Sequence, residues 1–177
     1  KILGIIWFTS LLGVANMSPV LLKKLPLLNI PVDFGKNWRK ERLFGKNKTW
    51  RGFFCAPIIG GLFFLFQKFL YVKISFLKEI SLFNYQEMTV WFGVWVSFGV
   101  IVGDLVKSFF KRRCHIYPGK SWLPFDQIDF ILGGLIVAFC FYWFKFLDII
   151  FIIIIGFCLH LLVKFLGYIF KIDNKPI

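Results

Sequence analysis

Long apolar runs alternate with short polar segments along the whole chain. The runs extend over Ile2–Leu22, Gly52–Val72, Met88–Val106, Asp126–Phe144 and Ile149–Phe170. A helix needs about 17–25 mainly apolar residues to cross a bilayer, and each run has a suitable length. We therefore predict an all-α integral membrane protein with about five transmembrane helices.

Two parts of this pattern, the last long apolar stretch and the start of the chain, need a separate interpretation. Phe130 to Val163 is too long for one ordinary span at about 1.5 Å per residue, so we predict a tight hairpin at Lys145–Asp148. At the start of the chain, a cleaved signal peptide is the alternative to a first span. Only Lys1 precedes the apolar run, the run exceeds a usual signal core, and "VANMSP" is a poor cleavage site. The pattern favours a span.

Composition agrees with a membrane environment. Hydrophobic residues make up 58% of the 177 residues, and the mean hydropathy is +0.74, which is too apolar for a soluble domain of this size. The net charge is +13. The cations lie between the apolar runs, which indicates membrane lipids and anionic ligands as partners and no nucleic acid.

The distribution of cations predicts the orientation. The loop Lys23–Arg51 carries nine lysines and arginines, and the loop Lys107–Phe125 carries five. Positive residues collect on the cytoplasmic side, so we expect two basic cytoplasmic loops. With Lys171 and Lys175 in the tail, the C-terminus is expected inside and the N-terminus outside, in the cell membrane. Five spans agree with this placement.

Three carboxylates stand at one edge of the apolar runs. Asp104 closes the third run, and Asp126 and Asp129, three residues apart, open the fourth on one helix face. Capping of a helix N-terminus would alone explain the pair. Together with Asp104, however, unpartnered carboxylates would repel one another, and a hard cation resolves this. Mg²⁺ held by Asp104, Asp126 and Asp129 is therefore expected.

A basic segment follows Asp104 directly. Lys107, Ser108 and Lys111 lie within one helical turn of one another, and Arg112 and Arg113 extend the group. Such a group suits phosphate oxygens, because arginine and lysine donate to them. For Arg112 and Arg113, ordinary positive-inside topology is an equally good explanation.

The first basic loop has similar features in "DFGKNWRKERLFGKNKTWRGF". Gly35 and Gly45 permit tight backbone turns, and Lys48, Thr49 and Arg51 offer donors to a polyphosphate. The spacing is not that of a Walker motif.

The combination of these segments resembles a known family. "ANMSPV", "DFGKNWRKERLFGKNKTWRG" and "GDLVKSFFKRR…PG…FDQIDF" closely resemble CDP-archaeol synthase, one of the membrane cytidylyltransferases. The resemblance covers almost the whole chain and implies a single catalytic domain over residues 1–177. It implies that CTP and an isoprenoid glycerol phosphate lipid (unsaturated archaetidic acid) give CDP-archaeol and pyrophosphate, with Mg²⁺ as cofactor.

The resemblance also assigns roles. Catalytic roles fall on Asp104, Lys111, Asp126 and Asp129, with the three aspartates as metal ligands. Binding of CTP or phosphate falls on Asn16, Lys48, Thr49, Arg51, Ser108 and Arg112. Lys107 and Arg113 join this set through the charge pattern of the basic segment. His115 is expected on a loop surface, and His160, alone in the last span, is expected to be a packed or interfacial residue.

Three alternatives differ in function. Phosphatidate cytidylyltransferase, which makes CDP-diacylglycerol, has a Gly-His-Gly-Gly run where this chain reads "CHIYPGKSWLP", which favours the archaeol type. CDP-alcohol phosphatidyltransferases need further motifs after Asp129, but the chain offers only Asp148 and Asp173 there. A non-catalytic basic membrane scaffold or transporter subunit is the third, and it predicts that Asp104 is dispensable.

Overall fold

The apolar runs form helices that lie side by side in a bundle. The computed structural model describes residues 1–23, 26–117 and 119–171, so Lys24, Pro118, Asp173 and Lys175 lie outside the described residues. The helices are α1 (Ile2–Leu21), α2 (Trp50–Lys73), α3 (Ser75–Ile80), α4 (Val90–Arg113), α5 (Phe125–Ala138) and α6 (Phe146–Ile169). A two-stranded antiparallel hairpin, β1 (Asn37–Trp38) and β2 (Glu41–Arg42), lies in the first basic loop.

Four of the helices, α1, α2, α4 and α6, are long and apolar enough to cross a membrane. The prediction of a helical membrane protein is therefore confirmed. The fourth predicted span is too long, because α5 has only 14 residues, about 21 Å of helix. The chain leaves the helix after Ala138, and the Tyr142 hydroxyl donates to the Leu82 carbonyl at 2.9 Å. The break lies at residues 139–145 rather than at Lys145–Asp148.

At one end of the bundle, aromatic rings fill the space between helices. We call this the aromatic end and define it by Phe8, Phe83, Tyr85, Phe92 and Phe144, all of them buried. The ring centroids of Phe8 and Phe144 are 5.2 Å apart, and those of Phe83 and Tyr85 are 4.6 Å apart. These distances are typical of favourable aromatic pairs. The aromatic end thus fixes α1 against α4 and against the segments that flank α3 and α6.

A close helix contact joins α4 to α5 and depends on glycine. Gly99 and Gly103 face Gly133, and a Cβ at Gly133 would lie 2.3 Å from the Gly99 carbonyl oxygen. Only glycine allows two helix backbones to approach so closely, as in the G-x-x-x-G contacts of membrane helices. Because Gly103 precedes Asp104, this contact brings Asp104 next to the start of α5.

The first basic loop is organised around Asp33. Its buried carboxylate accepts hydrogen bonds from the backbone amides of Gly35, Phe44 and Gly45 and from the Arg42 guanidinium. Burial raises the pKa of Asp33, but these hydrogen bonds outweigh burial and hold the pKa below its usual value of 3.8. Gly35 and Gly45 have φ of +80° and +108°, which agrees with the predicted turns.

Candidate active site

One lysine lies at the centre of the three predicted carboxylates. The Lys107 ammonium is 3.2 Å from Asp104 Oδ1, 2.8 Å from Asp126 Oδ1 and 3.1 Å from Asp129 Oδ2. The structure brings the three acids together, since α4 supplies one of them and α5 supplies the other two. Their mutual repulsion is balanced by a side chain of the protein itself.

Two more lysines complete the network. Lys48, from the first basic loop, pairs with Asp104, and Lys111 lies 2.6 Å from Asp126 Oδ2. Asp126 also accepts from the backbone amide of Trp122 at 2.6 Å. Three carboxylates therefore meet three ammonium groups, and most of these side chains are largely shielded from water. In such surroundings, removal of one charged group would leave its partner without compensation, which is strongly destabilising.

The three carboxylates offer hard oxygen donors of the kind that Mg²⁺ prefers. They converge on one point, which is the position of the Lys107 ammonium. Among the residues that the structure describes, no group of three His, Cys, Asp or Glu is arranged to hold a metal ion. The donor chemistry thus fits Mg²⁺, but binding requires Lys107 to move out from between the carboxylates.

A large cavity of about 730 Å³ opens beside this network. Pockets of about 300–1,000 Å³ commonly hold molecules of nucleotide size. Of the residues predicted from the sequence, eight line the cavity: Asn16, Lys48, Thr49, Arg51, Asp104, Lys107, Asp126 and Asp129. Four separate parts of the chain, α1, the first basic loop with the start of α2, α4 and α5, therefore meet at one cavity.

A smaller cavity of about 130 Å³ lies on the other side of Lys48 and Lys107, which line both cavities. Its described lining residues include five cations and no acid: Lys46, Lys48, Lys107, Lys111 and Arg112. The buried Ser108 also lines it. A space of this size with this charge suits phosphate groups.

Arg113 does not join the site, contrary to the prediction. Its Nη1 donates to the Arg42 carbonyl at 2.9 Å, and its guanidinium lies 4.1 Å from the centre of the Phe109 ring. It lines neither cavity. Arg112 and Arg113 point in different directions because adjacent helical residues are rotated by about 100°. Arg113 holds the first basic loop against α4.

Sequence reasoning missed several lining residues. Lys46 and Asn47 line both cavities, and their position beside Lys48 in "GKNKTW" was an available signal. His160 packs against Phe130, in agreement with the expectation of a packed residue, and it also lines the large cavity. A lone histidine in an apolar run carries no signal of this kind. His115 is on the loop surface as predicted, with 78% of its side chain exposed.

Comparison with known proteins identifies the family to which the chain is similar. The model of the CarS-like CDP-archaeol synthase family matches residues 1–177. A CDP-archaeol synthase of Pyrococcus furiosus is 30% identical over 99% of this chain and 98% of its own length. Another, of Methanococcoides burtonii, is 35% identical over 82% of this chain and 89% of its own length.

The chain belongs to the CDP-archaeol synthase family. A solved structure of an intramembrane enzyme for archaeal membrane lipid biosynthesis superposes with a TM-score of 0.74 at 25% identity. The match covers 93% of this chain and 94% of that chain. The resemblance found in the sequence motifs is confirmed, and the chain is a multi-pass membrane protein of a cytidylyltransferase family. The comparisons favour neither a phosphatidate enzyme nor a membrane scaffold.

Proposed function

We propose that this protein transfers the CMP group of CTP to unsaturated archaetidic acid, forming CDP-archaeol and pyrophosphate. An oxygen of the lipid phosphate attacks the α-phosphorus of CTP. The bond from that phosphorus to the β-phosphate oxygen breaks, and pyrophosphate leaves with its electrons. The observation that carries the proposal is the network around Lys107, which separates a cationic, phosphate-sized cavity from one large enough for a nucleotide.

The two cavities suggest where each part of the substrates lies. The β- and γ-phosphates fit the small cavity, where Lys46, Lys111, Arg112 and Ser108 can neutralise and orient them. Cytidine and the lipid phosphate fit the large cavity. The α-phosphate then lies near Lys48 and Lys107, which both cavities share. Positioning and charge stabilisation supply most of the catalysis, since a phosphate monoester is already largely ionised at pH 7.

Magnesium belongs to this proposal through Asp104, Asp126 and Asp129, which would hold it. When bound, Mg²⁺ would neutralise charge on the phosphate oxygens. Lys107, once displaced from the carboxylates, would reach the phosphates from the wall between the cavities. Lys48 would keep its place at Asp104.

The orientation is also a proposal: five crossings, the N-terminus outside and the site at the cytoplasmic face of the cell membrane. The first basic loop lies against the end of α4, as the hydrogen bond from Arg113 to the Arg42 carbonyl indicates. Glu41 of the same loop lies 3.5 Å from His115 of the α4–α5 loop. At the opposite end, the start of α1 meets the start of α6, where Lys1 lies 2.7 Å from Asp148. Because α5 starts at the site and α6 starts at the other end, α5 and residues 139–145 together traverse the bundle.

The test is transfer of CMP from labelled CTP by purified protein with Mg²⁺, using digeranylgeranylglyceryl phosphate and phosphatidate as acceptors. We expect CDP-lipid from the isoprenoid acceptor, and loss of it with EDTA or in Asp129→Asn. Product from phosphatidate alone would contradict the lipid assignment but keep the chemistry. Correctly folded protein that transfers CMP to neither lipid would contradict the proposed function.

A further inference from the structure

The inward face of α6 changes character halfway along the helix. Residues at spacings of four form this face: Asp148, Ile152, Gly156, His160 and Lys164. The first three are the buried residues of α6, and all lie in its first half. A Cβ at Gly156 would lie 2.6 Å from Ile131, so the helices are in close contact there. Beyond Gly156 the face opens toward the large cavity.

His160 is the α6 residue among the described lining of that cavity. Its ring packs against Phe130, with centroids 5.4 Å apart, and its Nδ1 is buried without a hydrogen-bond partner in the described protein. A buried donor without a partner is costly, so the tautomer with the proton on Nε2 is favoured. Nε2–H is then the group that the ring can offer to a ligand in the cavity.

Lys164 follows His160 by one helical turn on the same face. It is half-buried and forms no salt bridge with a described residue. The surrounding residues of α6 are largely apolar, and their side chains face outward. Ionisable residues in such a helix are expensive and usually serve a function. His160 and Lys164 therefore place two polar side chains on the inward face of α6, between the end of the helix and the large cavity.

We propose that His160 and Lys164 bind the phosphate of the lipid substrate as it enters the large cavity from the membrane. The inference rests on the proposed function and extends it to two residues on α6. Nε2–H of His160 donates to a phosphate oxygen, and the Lys164 ammonium attracts the charged headgroup. His160 is a positioning contact to the substrate and transfers no proton.

Two observations favour the lipid over CTP as the ligand. In its most apolar stretch α6 has 17% of its residues buried, against 33–44% for α1, α2 and α4, so it is the least buried of the four candidate membrane spans. In addition, α6 contributes no residue to the described lining of the small cationic cavity. We therefore infer that the ligand of His160 and Lys164 is the substrate that arrives from the membrane, which is the lipid phosphate.

The experiment measures KM for digeranylgeranylglyceryl phosphate and for CTP separately. In His160→Asn and in Lys164→Gln we expect KM for the lipid to rise about 10-fold, with KM for CTP unchanged. His160→Gln should stay near wild type, because its amide reaches the position of Nε2, whereas the shorter amide of asparagine reaches only Nδ1. The matched controls are His115→Asn and Lys36→Gln, both on exposed loop residues. Parallel rises of both KM values, or no change in either, would overturn the inference.

A binding measurement keeps this inference separate from the proposed function. Without CTP, the lipid phosphate should raise the Tm of the detergent-purified wild type and have a smaller effect on His160→Asn and Lys164→Gln. Equal stabilisation of all three proteins would overturn the inference even if CMP transfer is intact. Absence of CMP transfer together with selective loss of lipid-phosphate stabilisation would contradict the proposed function and leave the binding site in place.

Discussion

Different interactions hold the two ends of the helix bundle together, although the same helices contribute to both ends. At the aromatic end, buried rings pack at centroid distances such as 4.6 Å for Phe83 and Tyr85, and the fit of these rings holds the helices in place. At the site end, Lys107 joins three carboxylates beside two cavities, and the order comes from charge. Removal of a packed ring leaves a cavity that its neighbours can partly fill, whereas removal of one charge leaves its partner shielded from water without compensation. Changes at the two ends should therefore have separable effects.

Removal of one charge at the site end should have the largest effect on activity. Asp104→Asn leaves Lys48 and Lys107 without a shared carboxylate, and we expect CMP transfer to fall at least ~100-fold. The matched control is Asp148→Asn, which alters a buried aspartate at the opposite end, where it pairs with Lys1. Steady-state rates per folded molecule should be strongly reduced in Asp104→Asn and close to wild type in Asp148→Asn. Equal losses in both variants would contradict the division of roles.

Removal of a ring at the aromatic end should affect stability first. Phe8 is 1% exposed and packs on Phe83 and Phe144. Phe8→Ala would cost about 3–5 kcal/mol in a water-soluble core, and we expect roughly 2 kcal/mol here, because part of that cost is transfer from water. Thermal unfolding in detergent measures this loss of stability, with Phe69→Ala, a change at an exposed ring of α2, as control. A stable Phe8→Ala protein with a catalytic defect would show that the ends are not separable.

Neighbouring arginines provide a finer comparison within the site end. Arg112 lines the small cavity, whereas Arg113 holds the first basic loop. We expect Arg112→Gln to raise KM for CTP about 10-fold, in line with a lost hydrogen bond to a charged group, and Arg113→Gln to raise it less. Inhibition by added pyrophosphate should weaken in Arg112→Gln alone. Similar kinetics for both variants would remove the distinction between the two roles.

The smallest expected effect concerns pH and the first basic loop. The pKa of Asp33 in the folded protein lies below 3.8, so its contribution to stability is fully present above pH 3.8 and is lost as the pH falls through the folded pKa. Hydrogen exchange at Gly35, Phe44 and Gly45, corrected for the intrinsic effect of pH, should show this loss of protection. In Asp33→Asn we expect protection a few-fold lower at neutral pH and without this pH dependence. Identical profiles would contradict the role of Asp33.

Much of this architecture could be predicted from the pattern of apolar runs. Helices α1, α2, α4 and α6 begin and end within about seven residues of the predicted spans, because length and hydrophobicity largely determine where a membrane helix forms. The end of α5 could not be predicted in this way. The residues after Ala138 are as apolar as a helix requires, yet the chain leaves the helix there, and Tyr142 packs against Phe83 and donates to the Leu82 carbonyl.

The site was predictable in its residue types and less so in its contacts. The spacing of Asp126 and Asp129 indicated one face, and the G-x-x-x-G pattern of Gly99 and Gly103 was available to predict the close contact with α5. The position of Lys107 at the centre of the acids depends on the three-dimensional approach of α4 and α5. The contribution of α6 through His160 depends on how that helix packs against Ile131 and Phe130 of α5, which no local pattern encodes.

The most direct test of the account follows two labels from one substrate. CTP labelled at the α- or at the γ-phosphate is incubated with the lipid phosphate and either wild-type protein or Asp104→Asn. We expect α-label in the lipid fraction, γ-label in aqueous pyrophosphate, and loss of both signals in the variant when rates are expressed per folded molecule. Transfer of γ-label to the lipid, or undiminished transfer by Asp104→Asn, would contradict the account.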